Sequence, residues 1–172
     1  MRLFFALDLP GAVKARLEAW QRTQGGIWRW APLESLHLTL AFLGETGETQ
    51  VLAARRIGAV VAARHGPFAL RAKGLGGFPR DEAARVLWLG CEPSAHVEAL
   101  STDLRRELAS ADLSFDAKPF KAHVTLARSP RTQLTAPFGL PTGELGWEVR
   151  ALALMRSEGG GRYAAVAYWL LG

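Results

Sequence analysis

The chain has 172 residues, 49% of them apolar with six Trp and eight Phe, so one domain with a substantial core is expected and disorder is excluded. Twenty-one basic against sixteen acidic residues leave a net charge of +5, a moderate excess that favours anionic partners. A single cysteine, Cys91, rules out an intrachain disulfide or a cysteine-based zinc site.

Leu3 to Leu7 is too short for a signal peptide, and Asp8 and Pro10 follow at once. No stretch approaches the roughly 20 apolar residues of a membrane span. The expectation is a cytoplasmic protein with no membrane partner.

In chain order, Arg2 to Asp8 reads as a buried strand. Pro10 suits the first turn of a helix running to about Gln24, stopped by Gly25-Gly26. Ile27 to Ala31 is a short Trp-rich strand, and Leu36 to Leu43 a longer one ended by Gly44. Thr46 or Thr49 is placed to cap a helix over about Thr49 to Arg64, closed by Gly66-Pro67. Phe68 to Lys73 is a strand, Gly74 to Arg80 a loop and Arg85 to Cys91 a strand. Pro93 and Ser94 open a helix to about Ser110, with Val97, Leu100, Leu104 and Leu108 on one face. Ala122 to Ala127 is a strand and Ser129 to Gly143 a loop. Trp147 to Met155 and Tyr163 to Leu171 read as two strands about a Gly159-Gly160-Gly161 turn. This mixture, ending in hairpins, is α+β with antiparallel sheets.

One phrase occurs twice: His37-Leu38-Thr39-Leu40 and His123-Val124-Thr125-Leu126. The copies lie 86 residues apart, half the chain. Side chains two apart on a strand share a face, so each copy presents a His and a Thr on one side and two apolar residues on the other. A second echo aligns Arg2 through Pro10 with Arg85 through Pro93 at an offset of 83. Together they describe one bilobal domain over 1–172, with faint pseudo-repeats at roughly 1–84 and 85–172.

If a pseudo-two-fold axis brings the motif strands together, the cleft between them holds two imidazoles and two hydroxyls. One imidazole taking a proton while another gives one suits in-line displacement at phosphorus, each contributing on the order of 10²–10⁴-fold. Thr39 and Thr125 are placed to donate hydrogen bonds to the non-bridging oxygens, and Arg128 to neutralise charge at the mouth. Hydroxyls are weak metal ligands, so the chemistry is expected to need no metal.

These residues resemble the two-histidine phosphoesterases, and more closely the RNA 2′,3′-cyclic phosphodiesterases historically called 2′-5′ RNA ligases. The likeness includes Met1 to Pro10, Leu36 to Gly44, Gly76-Gly77-Phe78-Pro79, Arg85 to Trp88 and His123 to Arg128. It implies a bilobal, pseudo-two-fold α+β fold with antiparallel sheets lining a central cleft and helices outside. It implies hydrolysis of 2′,3′-cyclic phosphate ends of RNA to 2′-phosphates without a cofactor, and reversible ATP-independent 2′-5′ joining. By the same resemblance His37 is the proton donor and His123 the acceptor. The motifs alone leave that order open, because the copies are nearly symmetric. Ala122 stands where relatives often have proline.

The expected partner is RNA with a cyclic phosphate end, tRNA halves and small nucleotides included. A pseudo-symmetric two-lobed chain has little need to dimerise, so a monomer is expected. Phe42, Trp28 and Trp30 are aromatic groups for base stacking or core packing, with Phe42 placed at the substrate. Lys118 and Lys121 either steer RNA or are solvated. His65 and His96 read as surface residues, and Gly74 to Gly77 as a turn. Two other readings keep the pocket: a nucleotide- or RNA-binding module without turnover, and a phosphodiesterase for small cyclic nucleotides or 2′-5′ oligonucleotides.

Overall fold

The computed structural model describes residues 1–24, 28–133 and 144–172. Among them the chain forms β1 (Arg2–Asp8), α1 (Gly11–Gln21), β2 (Arg29–Trp30), β3 (His37–Glu45), α2 (Glu48–Ala62), β4 (Phe68–Phe78), β5 (Ala84–Cys91), α3 (Ala95–Ser110), β6 (His123–Gln133), β7 (Gly146–Val149), β8 (Ala151–Gly159) and β9 (Arg162–Leu170). The Gly25-Gly26 helix stop, Ile27 and residues 134–143 of the expected loop lie outside the described residues. The strands run in the order β7-β4-β5-β6-β3-β1-β8-β9, with β2 added to β6 and every pairing antiparallel.

The two motif strands are therefore neighbours at the centre, three strands beyond each. β4 stands beside β5, and β8 and β9 beyond β1, so each flank takes strands from both halves of the chain. Alternation along β1 assigns the two faces. Leu3, Phe5 and Leu7 join the large core with Leu17 of α1, Ile57 of α2 and Leu104 of α3. Phe4 and Ala6, on the other face, pack with Ala153 and Met155 in a smaller cluster. Helices thus back one face and leave the other for a cleft.

Four expectations are corrected. The loop at Gly74 to Arg80 is largely strand: β4 runs to Phe78, with Gly76 paired to Trp88 and Gly77 to Leu87. Its glycines serve a register shift at positive φ (Gly74, +66°) and a close approach. The loop expected from Ser129 begins as strand, because Pro130 falls where the β5–β6 ladder is already irregular, between the Val86–Arg128 and Ala84–Gln133 pairs. The strand expected over Trp147 to Met155 is two, broken at Arg150; β7 pairs with β4 and β8 with β1, on opposite flanks. Neither Thr46 nor Thr49 caps α2. Gly47 is its N-cap, donating its N–H to the Gln50 side chain at 2.8 Å, while the Thr46 hydroxyl donates to the Met1 carbonyl.

Ser94 does cap α3, accepting from the Val97 N–H. The Arg2/Arg85 echo is one residue out of phase with the ladder. Asp8 pairs with His37 and Gly90 with His123, so equivalent positions lie 82 apart. On a strand that slip exchanges the faces.

Candidate functional site

β3 and β6 meet through the Leu38–Val124 pair. Both side chains are fully buried in the core, so the residues on either side turn to the opposite face. Because the strands are antiparallel, His37 is brought toward Thr125 and Thr39 toward His123. All four line one cleft of about 430 Å³, together with Phe42 and Arg128.

Each motif strand carries a bulge at the same place. In β3 the ladder passes from Ala6–Thr39 to Phe5–Ala41, leaving out Leu40; in β6 it passes from Trp88–Thr125 to Leu87–Ala127, leaving out Leu126. The extra residue reverses the alternation beyond it. Phe42 and Arg128, each five residues after its histidine, thereby face the cleft instead of the core. Arg128, expected just past a strand end, is an exposed residue within β6.

The two imidazoles are held alike. His37 Nδ1 lies 2.7 Å from the Ser35 carbonyl, and His123 Nδ1 2.7 Å from the Lys121 carbonyl. A carbonyl only accepts, so each Nδ1 carries a proton and donates it. Each neutral ring then has its lone pair on Nε2, the tautomer a base needs. His37 Nε2 lies 3.1 Å from Thr39 Oγ1, whose hydroxyl donates to the unprotonated nitrogen.

Aromatic rings wall both imidazoles. Phe4 and Tyr163 flank His37 at 4.8 and 5.0 Å between centroids; Phe78 and Trp88 flank His123 at 5.1 and 6.1 Å. Burial is the main cause that holds both pKa values below the usual histidine value. For His37 the Ser35 carbonyl and Asp8 oppose that shift, while Lys14 and His123 add to it; for His123 the Lys121 carbonyl opposes it, and the charges of Lys121 and Arg128 add to it. Among the described residues no three His, Cys, Asp or Glu side chains gather to hold a metal ion.

The other expectations divide. Trp28 is buried, whereas Trp30 is half-buried and lines the cleft. Lys121 stacks its ammonium 4.1 Å over Trp88, and Lys118 pairs with Asp116 at 3.4 Å. His65 is no free surface residue. It meets Asp103 at 3.0 Å, beside Arg64, and ties the end of α2 to α3. His96 stacks on Phe68, and neither of these histidines lines the cleft.

Sequence reasoning missed the Ser35 and Lys121 carbonyls, Tyr163 and Arg29. A backbone carbonyl has no residue signature. For Tyr163 the available signal was its place just after the triple-glycine turn, whose Gly160 and Gly161 also line the cleft.

The model of the 2′-5′ RNA ligase superfamily matches residues 9–161. A Thermus thermophilus protein called RNA 2′,3′-cyclic phosphodiesterase is 34% identical over 168 residues, covering 92% of this chain and 82% of its own. An Escherichia coli protein of the same name is 31% identical over 178 residues, covering 99% and 96%. Among solved structures, a Thermus thermophilus protein superposes with a TM-score of 0.84 at 33% identity, covering 99% of this chain and 98% of that one. Escherichia coli LigT complexed with 3′-AMP superposes at 0.83 and 29% identity, covering 99% and 97%.

Proposed function

This chain belongs to the 2′-5′ RNA ligase superfamily, and on that premise we propose that it opens the 2′,3′-cyclic phosphodiester at RNA ends by metal-independent acid–base catalysis. The observation that carries the reading is the matched pair of imidazoles. Each is pinned through Nδ1 to a carbonyl, and both line one cleft.

Water attacks phosphorus as His123 Nε2 takes its proton. The bond to the 3′ oxygen breaks on the opposite side as protonated His37 gives up its Nε2 proton. The products are a 2′-phosphate and a free 3′ hydroxyl. The two rings then exchange their proton states through solvent. With a 5′ hydroxyl in place of water the same steps form a 2′-5′ linkage, and the reverse reaction cleaves it.

Thr39 and Thr125 donate to the non-bridging oxygens, where charge grows in the transition state. For Thr39 this requires the hydroxyl to turn from His37 Nε2 to the substrate, which frees that nitrogen as it becomes protonated. Arg128 places a positive charge at the mouth of the cleft, and Phe42 offers an aromatic face there. The whole chain acts as one bilobal domain, a monomer in the cytoplasm; no helix among the described residues is long and apolar enough to cross a membrane.

The test is to incubate RNA ending in a 2′,3′-cyclic phosphate with the protein and EDTA. Accumulation of the 2′-phosphate is expected. Recovery of unreacted ends, with activity restored by added metal, would contradict the metal-independent mechanism.

A further inference from the structure

β2 is two residues long, yet it sets an arginine against an arginine. Arg29 is the ladder partner of Arg128 and Trp30 that of Ala127, and all four residues line the cleft. Cross-strand partners project to the same face with Cβ atoms about 5 Å apart, and like charges so placed are destabilising. Among the described residues neither guanidinium has a carboxylate within ion-pair distance, although other arginines do, as with Arg64–Glu107, Arg150–Glu148 and Arg156–Glu158. Both are exposed. An exposed, unpaired, like-charged pair at the rim of a cleft is arranged for an anion that arrives from solvent.

The pair lies along β6 from the reacting centre, with the Arg128 charge near enough to act on His123. Arg128 is three residues beyond Thr125, roughly 10 Å along an extended strand and less with the bulge between them. With a phosphorus seated between the imidazoles, the exposed pair further along the same cleft is placed to meet a neighbouring part of the same substrate. In an RNA end the next anionic group is the phosphodiester on the 5′ side of the terminal ribose. Two guanidinium forks match its two non-bridging oxygens.

We propose that Arg29 and Arg128 form a second phosphate subsite that binds the phosphodiester next to the cyclic end, so that the site favours an RNA chain over a lone nucleotide. The proposal rests on the phosphodiesterase reading and deepens it by naming what the substrate carries beyond its cyclic end.

The test compares three substrates: a nucleoside 2′,3′-cyclic phosphate, the same compound with a 5′-phosphate, and a dinucleotide ending in the cyclic phosphate. Turnover of the first by the wild-type protein establishes the phosphodiesterase reading on its own, and failure on all three overturns that reading. The subsite predicts a kcat/KM at least tenfold higher for the dinucleotide than for the bare nucleoside, lying mostly in KM. In Arg29→Gln that ratio falls toward one, and the log–log salt dependence for the dinucleotide shallows by about 0.7, one released counterion on a single strand. Arg29→Lys, which keeps the charge but not the fork, restores part of the ratio. A 5′-phosphate that reproduces the full gain would assign the subsite to a free terminal phosphate. A wild-type ratio near one, or an Arg29→Gln protein with an unchanged ratio, would overturn the proposal.

Discussion

An imidazole whose Nδ1 proton is committed to a backbone carbonyl has one nitrogen left for chemistry. His37 and His123 are both in that state, and burial holds both pKa values below the usual 6.5. Turnover needs one ring neutral and one protonated, so kcat/KM should be bell-shaped, with its two apparent pKa values belonging to the pair. Because burial lowers both values, the free enzyme keeps a neutral base to lower pH than an exposed histidine would, and it loses its protonated acid sooner as pH rises. The kcat/KM optimum is therefore expected below pH 6.5. A bound phosphodiester anion favours the imidazolium, which moves the kcat optimum to higher pH than the kcat/KM optimum. Rates measured from pH 4.5 to 9 check this, and a kcat/KM optimum above pH 7.5 would contradict it.

The elements that carry the motifs were legible because their periodicity is simple. His37-Leu38-Thr39 and His123-Val124-Thr125 alternate polar and buried side chains as a strand requires, and α3 shows its apolar face at helical spacing. What was hidden lies where alternation breaks. The bulges at Leu40 and Leu126 place buried residues side by side, and nothing in those leucines announces a change of face. The choice of Phe42 and Arg128 as site residues came from resemblance and chain position; strict alternation from the histidines would have sent both toward the core.

The glycines of β4 misled for a related reason, since they signal either a turn or a close approach. Gly76 is the second kind: a Cβ there would meet the Trp88 indole at 2.2 Å. Trp88 in turn walls His123. Gly76→Ala is expected to lower stability by about 1–3 kcal/mol through overpacking, and to reduce turnover by displacing the indole while leaving both histidines in place. Thermal melts and kinetics on folded protein check this. An unchanged melting temperature with unchanged turnover would show that the ring shifts freely.

The whole molecule is less divisible than its repeated phrase implies. Two half-chains of strand, helix and motif strand can be read from the residues. In the sheet, however, β8 and β9 of the second half complete the flank of β1, while β4 of the first half stands against β5. Which flank a strand joins depends on long-range pairing, and β7 and β8, separated only by Arg150, go to opposite flanks. Residues 1–84 and 85–172 expressed separately should therefore show little stable structure by circular dichroism, whereas the full chain should unfold in one cooperative transition. A half that folds alone with a sharp melt would contradict this. At this scale the proposed activity depends on two histidines acting as one unit from opposite sides of a phosphorus atom. The most direct measurement is single-turnover cleavage of cyclic-phosphate RNA by His37→Ala, His123→Ala and the double variant. Each single change is expected to cost at least 10²–10⁴-fold, and the double little more than either alone. Near-wild-type cleavage by either single variant, or losses that simply multiply in the double, would contradict it.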